Sequence, residues 1–152
     1  MKKFLLTLLI LVSISTQAQD LKWHTNIKDA ITVSNKESKP LMLFFTGSDW
    51  CGWCIRLQKE VLQTPEFKKW AKSVVLVELD YPRRTPQIPE IKKQNEELQQ
   101  VFGIQGFPTI FFTNVVKEKD GKFNFKPLGK TGYVAGGPQA WLAEANGIVN
   151  QK

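Results

Sequence analysis

Residues 41–54 read LMLFFTGSDWCGWC, and this stretch decides the fold. Its first part, Leu41–Thr46, is a nearly continuous apolar run, which is typical of a strand covered on both faces of a sheet. The glycine, serine and aspartate that follow favour a turn, and we predict a helix from about residue 51 to residue 62. Cys51 and Cys54, the two cysteines of the chain, therefore lie at a junction between a strand and a helix.

This cysteine pair is the first candidate for chemistry. Two thiols at this spacing can close into a small disulfide and reopen, which predicts dithiol–disulfide exchange. A structural disulfide is a poor alternative, because so small a loop removes little entropy from the unfolded chain. Zinc takes four ligands in a tetrahedron, and the single histidine, His24, is far away in sequence. We therefore expect neither a metal nor a cofactor, and we assign His24 no role.

The N-terminus has the pattern of a secretory signal peptide. Lys2 and Lys3 precede a largely apolar run over residues 4–14, and Thr16-Gln17-Ala18 is a plausible cleavage site. The run is short for a bilayer span, which favours a signal peptide of residues 1–18 over an uncleaved anchor. We expect export across the inner membrane, to the periplasm, of a single domain formed by residues 19–152.

The charge of the chain is modest and evenly spread. The formal net charge is +7 over 152 residues, and no basic stripe or recognition motif accompanies it. We therefore expect no nucleic-acid partner, and we interpret the lysines as a solvated surface.

The remaining apolar patterns predict the element order α-β-α-α-β-α-β-β-α. Thr25 or Asn26 caps the first helix, and the inward faces of later helices include Ile55 and Val101. The other predicted elements are a short helix from Pro65, strands Val74–Leu79, Thr109–Val116 and Lys122–Leu128, a helix between Pro89 and Gly103, and a last helix from Gly136.

Three segments together resemble the thioredoxin superfamily, and in particular its secreted bacterial thioredoxin-like proteins. They are the strand Leu41–Thr46, Trp50-Cys51-Gly52-Trp53-Cys54, and Gly106-Phe107-Pro108-Thr109. The resemblance extends from about Trp23 to Val149. It implies an α/β thioredoxin fold, with a mixed central sheet and helices on both faces. Strands separated by helices also favour parallel pairing, and functional groups collect beyond the carboxyl ends of such strands.

The resemblance implies a role for each cysteine and for Pro108. Cys51 is the attacking thiol and Cys54 the resolving thiol, and a helix N-terminus would favour the Cys51 thiolate. Pro108 would follow a cis peptide bond and face the pair. The backbone around Phe107 would then be free to pair with an extended segment of substrate.

The residues around the cysteines are candidate substrate contacts. By the same resemblance Trp50 packs against the active-site loop, while Gly52 and Trp53 set its geometry and local polarity. Trp53 stands where ordinary thioredoxins have proline. We expect it to be partly exposed, either as a contact for substrate or as a shield over the disulfide.

The chain departs from the family pattern at Phe45. Ordinary thioredoxins carry a buried aspartate six residues before the first cysteine, and it assists proton transfer to the resolving thiol. Asp49 and Glu78 are candidate substitutes for that base. The alternative interpretation, which we favour, is that both are solvated or turn-capping carboxylates.

A second departure is the extended loop that follows Asp80. This residue ends a strand predicted to be parallel to Leu41–Thr46, which places the loop on the active-site side. Our hypothesis is that Arg83 and Arg84 bias the protein toward acidic partners. The alternative is a solvated loop without such a role.

Taken together, these features predict an exported thiol–disulfide oxidoreductase that serves cell redox homeostasis. We expect a monomer that acts as a reductant of protein disulfides and draws electrons from a membrane-bound donor, although the dipeptide Gly52-Trp53 leaves an oxidant or isomerase open. A thioredoxin-fold binding or chaperone module without redox turnover is the alternative. A peroxidase is less favoured, because its expected threonine, proline and cysteine pattern is missing.

Overall fold

The computed structural model describes residues 21–151, so the predicted signal peptide lies outside the described residues. Five strands and five α-helices make up this part of the chain. Their bounds are β1 Trp23–His24, α1 Ile27–Glu37, β2 Leu41–Thr46, α2 Gly52–Leu57, α3 Pro65–Trp70, β3 Val75–Asp80, α4 Pro89–Val101, β4 Thr109–Lys117, β5 Phe123–Thr131 and α5 Gly137–Val149.

The strands form one mixed sheet in the order β1-β3-β2-β4-β5. β1 and β2 both pair in parallel with β3, whereas β4 is antiparallel to β2 and β5 is antiparallel to β4. This arrangement confirms the predicted mixed sheet and thioredoxin fold. β1 was not predicted, because a two-residue strand is too short to show a periodic pattern.

β4 runs antiparallel to β2 although a helix separates it from β3. The reason is that α4 lies beside the carboxyl edge of the sheet: the Asn95 side chain donates to the Asp80 carbonyl at 2.9 Å, and the Tyr81 hydroxyl donates to the Asn95 carbonyl at 2.5 Å. The chain therefore enters β4 from that same edge, where Thr109 stands opposite Phe45.

The sheet separates two hydrophobic clusters. Alternate residues of β2 point to opposite faces: Met42 and Phe44 join the cluster that holds both cysteines and α5, while Leu43 and Phe45 join the cluster with α1 and α4. Every residue of β2 is buried, which confirms a strand covered on both faces.

The helices depart from the predicted faces at two positions. The helix after the cysteines continues as a π-helical turn over Gln58–Leu62, and its buried residues include Cys54 and Leu57. Ile55 falls outside this stripe and is 37% exposed, so the prediction that it points inward is wrong. Val101 is 66% exposed for the same reason, because α4 buries Asn95 and Leu98 instead.

Residues 21–151 contain neither a membrane-spanning helix nor a cluster of metal-ligating side chains. Within that range, no helix combines the length and the apolar character needed to cross a membrane. No three histidine, cysteine or acidic side chains in the same range lie close enough together to hold a metal ion.

Candidate functional site

Cys51 and Cys54 form a disulfide at the N-terminus of α2, with their Cα atoms 5.2 Å apart. Cys51 is the N-cap residue, and its Sγ accepts a hydrogen bond from the Cys54 backbone N–H at 3.2 Å. Cys51 is 6% exposed and Cys54 is fully buried. The arrangement leaves the first cysteine slightly exposed and the second, one helical turn further along α2, shut off from solvent.

The indole of Trp50 is held by three contacts. It lies on Gly47, where a Cβ would come within 2.4 Å of the indole Cε2. Its Nε1–H donates to the Tyr81 carbonyl at 2.8 Å, and its ring meets the Phe107 ring edge-on with centroids 5.8 Å apart. The expectation that Trp50 packs against the active-site loop is thereby confirmed.

The peptide bond between Phe107 and Pro108 is cis, as the resemblance implied. Thr109 fixes the start of β4, since its hydroxyl donates to the Gly106 carbonyl at 2.8 Å. The loop after β5 closes against this turn: a Cβ on Gly132 would lie 3.2 Å from the Pro108 carbonyl oxygen. The structure therefore brings the segments that contain Phe107 and Trp50 together.

Trp53 is 55% exposed and belongs to a small surface cluster. Its ring lies 5.1 Å from the ring of Tyr133, and the Arg56 guanidinium lies 5.4 Å and 5.2 Å from the centroids of these two rings. Arg56 pairs with Glu60 at 2.7 Å, and the Tyr133 hydroxyl donates to the same carboxylate at 2.5 Å. The Tyr133 bond, followed by the Arg56 contact, lowers the pKa of Glu60.

The sequence analysis missed this cluster in part. The helical spacing of Arg56 and Glu60, four residues apart, could have predicted their ion pair. No local signal joins Tyr133 to Trp53, because the contact depends on how the loop after β5 folds back over α2.

Asp49 holds the loop that follows β3. Its carboxylate accepts hydrogen bonds from the backbone N–H groups of Arg83, Arg84 and Thr85, at 3.0, 2.7 and 3.0 Å. These hydrogen bonds lower the pKa of Asp49 to about 2, and the bond from the Arg83 backbone N–H has the largest effect. Asp49 is therefore a loop-capping carboxylate, as the favoured interpretation had it, and its lone pairs are committed to the backbone.

Asp80, at the end of β3, binds the loop that precedes the cysteines. Its carboxylate accepts from the Ser48 N–H at 2.8 Å and from the Ser48 hydroxyl at 2.6 Å. Above this anchored loop the Arg83 guanidinium lies 3.6 Å from the centroid of the Trp50 ring. The expected position of the loop after β3, on the active-site side of the sheet, is confirmed.

Phe45, where the family's aspartate is absent, and Glu78, a candidate substitute, lie on opposite faces of the sheet. Glu78 is partly buried inside β3, so the favoured interpretation of it as a solvated or turn-capping carboxylate is wrong. Phe45 faces away from the disulfide and packs on Tyr81 and Phe102, with ring centroids 6.5 and 6.1 Å apart. Glu78 stands beside Phe44, on the disulfide face, and lines a cavity of about 180 Å³. Burial, and then the Asp80 charge, raise the pKa of Glu78.

The chain was compared with known proteins. A model of the family described as thioredoxin-like matches residues 22–114. The disulfide bond reductase DsbH of Chlamydia pneumoniae is 37% identical over 119 residues, which are 78% of this chain and 71% of that protein. The thioredoxin-related protein DsbJ of the same organism is 36% identical over 114 residues, but the match spans 33% of its length.

A solved structure agrees with the sequence comparisons. The structure of a DsbH oxidoreductase superposes with a TM-score of 0.74 at 34% identity, and the match covers 88% of this chain and 87% of that chain. The similarity therefore includes the elements on both sides of the cysteine pair.

Proposed function

The chain belongs to the thioredoxin-like family, and we propose that this thiol–disulfide oxidoreductase works in the reducing direction on protein disulfides. The single observation that carries the proposal is the unequal burial of the paired cysteines, since Cys54 is fully enclosed whereas Cys51 keeps 6% of its surface exposed. The printed name of the Chlamydia relative, a disulfide bond reductase, supports the direction.

The reaction begins when the Cys51 thiolate attacks one sulfur of a substrate disulfide. A bond forms between Cys51 and that sulfur, and the other substrate sulfur leaves as a thiolate and takes up a proton. The Cys54 thiolate then attacks the Cys51 sulfur and releases the second substrate thiol. Two electrons have moved from the protein to the substrate, and the Cys51–Cys54 disulfide is the product form of the protein.

The local backbone supports the first step. The Cys54 N–H already points at the Cys51 Sγ, and unpaired N–H groups at a helix N-terminus favour a negative charge there. Trp50, Gly52 and Trp53 border the pair, and the turn at Phe107 and Pro108 would receive an extended substrate segment next to it. These five residues are our proposed substrate contacts.

The cycle requires a partner that returns two electrons to the Cys51–Cys54 disulfide. We assign this step to a membrane-bound dithiol donor, because residues 1–18 predict export to the periplasm, where the cytosolic reductants do not reach. Substrates are exported proteins with disulfides, and the working form is a monomer.

Insulin reduction by dithiothreitol tests the proposal. The purified protein should accelerate precipitation of the insulin chains, and Cys51→Ser should abolish the acceleration. Cys54→Ser should instead accumulate a mixed disulfide, visible as added mass on the protein. Equal rates for wild type and Cys51→Ser would leave a thioredoxin-fold binding or chaperone module.

The direction of electron flow needs a separate measurement. Equilibration of the pair with glutathione should give a potential near about −270 mV, as expected of a reductant. A value near about −120 mV would identify an oxidant and overturn the assigned direction.

A further inference from the structure

Each tryptophan of the segment Trp50–Trp53 lies against an arginine. The Arg83 guanidinium is 3.6 Å from the Trp50 ring centroid, and the Arg56 guanidinium is 5.4 Å from that of Trp53. The two arginines differ in how their charge is compensated. Arg56 forms an ion pair with Glu60, whereas Arg83 has no carboxylate within ion-pair distance among residues 21–151.

The acidic groups near Arg83 are already engaged. The Asp49 carboxylate accepts three backbone N–H groups of the loop, and Asp80 accepts two bonds from Ser48. Neither carboxylate is paired with the Arg83 side chain. An uncompensated positive charge therefore stands on the residue that directly precedes Cys51.

The position of this charge is fixed by two constraints. The Arg83 backbone N–H is bonded to Asp49, and its guanidinium stacks on an indole that is itself held on Gly47. A guanidinium that lies over a ring still directs its N–H donors outward in its own plane, where a carboxylate can accept two of them. Part of the entropy cost of ordering the side chain is thus met before a partner arrives.

We propose that Arg83 is a specificity-determining contact that selects protein substrates with an acidic side chain next to the disulfide. The inference rests on the proposed function and refines its substrate class. Arg84 is also exposed and also lacks an ion pair in the described part of the chain, but it has no ring contact. The contact with the Trp50 ring therefore assigns the selectivity to Arg83 and not to Arg84.

The test uses two synthetic peptides, each with one intramolecular disulfide. They differ only in the residues beside the cysteines, which are glutamates in one and lysines in the other. The second-order rate of their reduction by the reduced protein is measured at low and at high salt, together with the rate for the uncharged bis(2-hydroxyethyl) disulfide.

The wild type should prefer the acidic peptide, and Arg83→Gln should lower that preference about two- to fivefold, as expected for one exposed charge contact. High salt should reduce the wild-type preference toward the value of the variant. Arg83→Lys should restore part of it, because lysine keeps the charge but not the planar fork. Arg84→Gln is the matched control, since it loses the same charge. It should change the logarithm of the rate ratio between the acidic and the basic peptide by less than half as much as Arg83→Gln does.

An equal preference for the two peptides, or an equal loss in Arg83→Gln and Arg84→Gln, overturns the inference. If the uncharged disulfide is still reduced in either case, the proposed function stands without it. If the wild type reduces neither the peptides nor the uncharged disulfide, the proposed function itself fails.

Discussion

Gly47→Ala tests whether the active-site loop depends on close contact between backbone and indole. A Cβ at this position would lie 2.4, 2.6 and 2.7 Å from Cε2, Nε1 and Cζ2 of Trp50. The indole must therefore move by about 1 Å before ordinary van der Waals contact is restored. The Trp50 ring cannot move alone, because it is bonded to the Tyr81 carbonyl and carries the Arg83 guanidinium.

The expected cost follows from these contacts. Overpacking costs about 1–3 kcal/mol, and the loss of the Trp50–Tyr81 hydrogen bond adds about 0.5–1.5 kcal/mol. The lower entropy of an unfolded chain with alanine returns up to about 1 kcal/mol. These terms place the fall in the free energy of unfolding of Gly47→Ala between about 0.5 and 4.5 kcal/mol, with a central value of about 2.5 kcal/mol. We also expect a slower reduction of insulin.

Urea denaturation of the oxidised protein measures the loss of stability. Gly147→Ala is the matched control, because a Cβ built on this residue of α5 has nothing within 4 Å apart from its chain neighbours and the nearby backbone of its own helix. That variant should be neutral or more stable by up to about 1 kcal/mol. Adding Trp50→Phe to Gly47→Ala should cost less than the sum of the two single substitutions. A Gly47→Ala protein within about 0.5 kcal/mol of wild type would refute the reasoning.

Three further substitutions probe the two faces of the sheet and the first helix. Glu78→Gln should raise the melting temperature at pH 7, because burial destabilises the charged form of Glu78 and so raises its pKa. The gain should vanish at a pH below the ordinary pKa of glutamate, where the wild-type side chain is neutral in both the folded and the unfolded protein. Phe45→Asp should lower the free energy of unfolding by more than about 3 kcal/mol without accelerating exchange, because this position faces away from the disulfide; faster insulin reduction than in the control Phe45→Leu would contradict it. Asn26→Ala should cost about 1 kcal/mol, because the Asn26 side chain caps α1 by accepting from the Lys28 N–H at 2.9 Å; Asn26→Ser should retain most of the stability in the same urea titration.

Local signals predicted most of the elements that position the site. The apolar run Leu41–Thr46 and the cysteine spacing of Trp50–Cys54 depend on neighbours in sequence, so pattern alone located the central strand and the helix that follows it. The cap at Asn26 follows from a single side chain for the same reason.

The contacts that pattern could not predict join residues far apart in sequence. Counting six residues back from Cys51 led to Phe45, but the face on which that side chain points depends on the register between β2 and β3. The contact of Tyr133 with Trp53 depends on the path of the loop after β5. Neither the face of Phe45 nor the contact between Tyr133 and Trp53 produces a periodic pattern in the sequence.

The exchange of hydrogen bonds between the two loops at the carboxyl edge has a practical consequence. Asp49, beside the cysteines, binds the backbone of the loop after β3, and Asp80, at the end of β3, binds Ser48 in return. Each of the two loops thus supplies a carboxylate that accepts hydrogen bonds from the other loop. A transplant of residues 48–54 into another scaffold would leave the Asp49 carboxylate without its donors unless residues 80–85 were moved with it. The transferable unit is the pair of loops, and the loop that leads into the cysteines is one half of it.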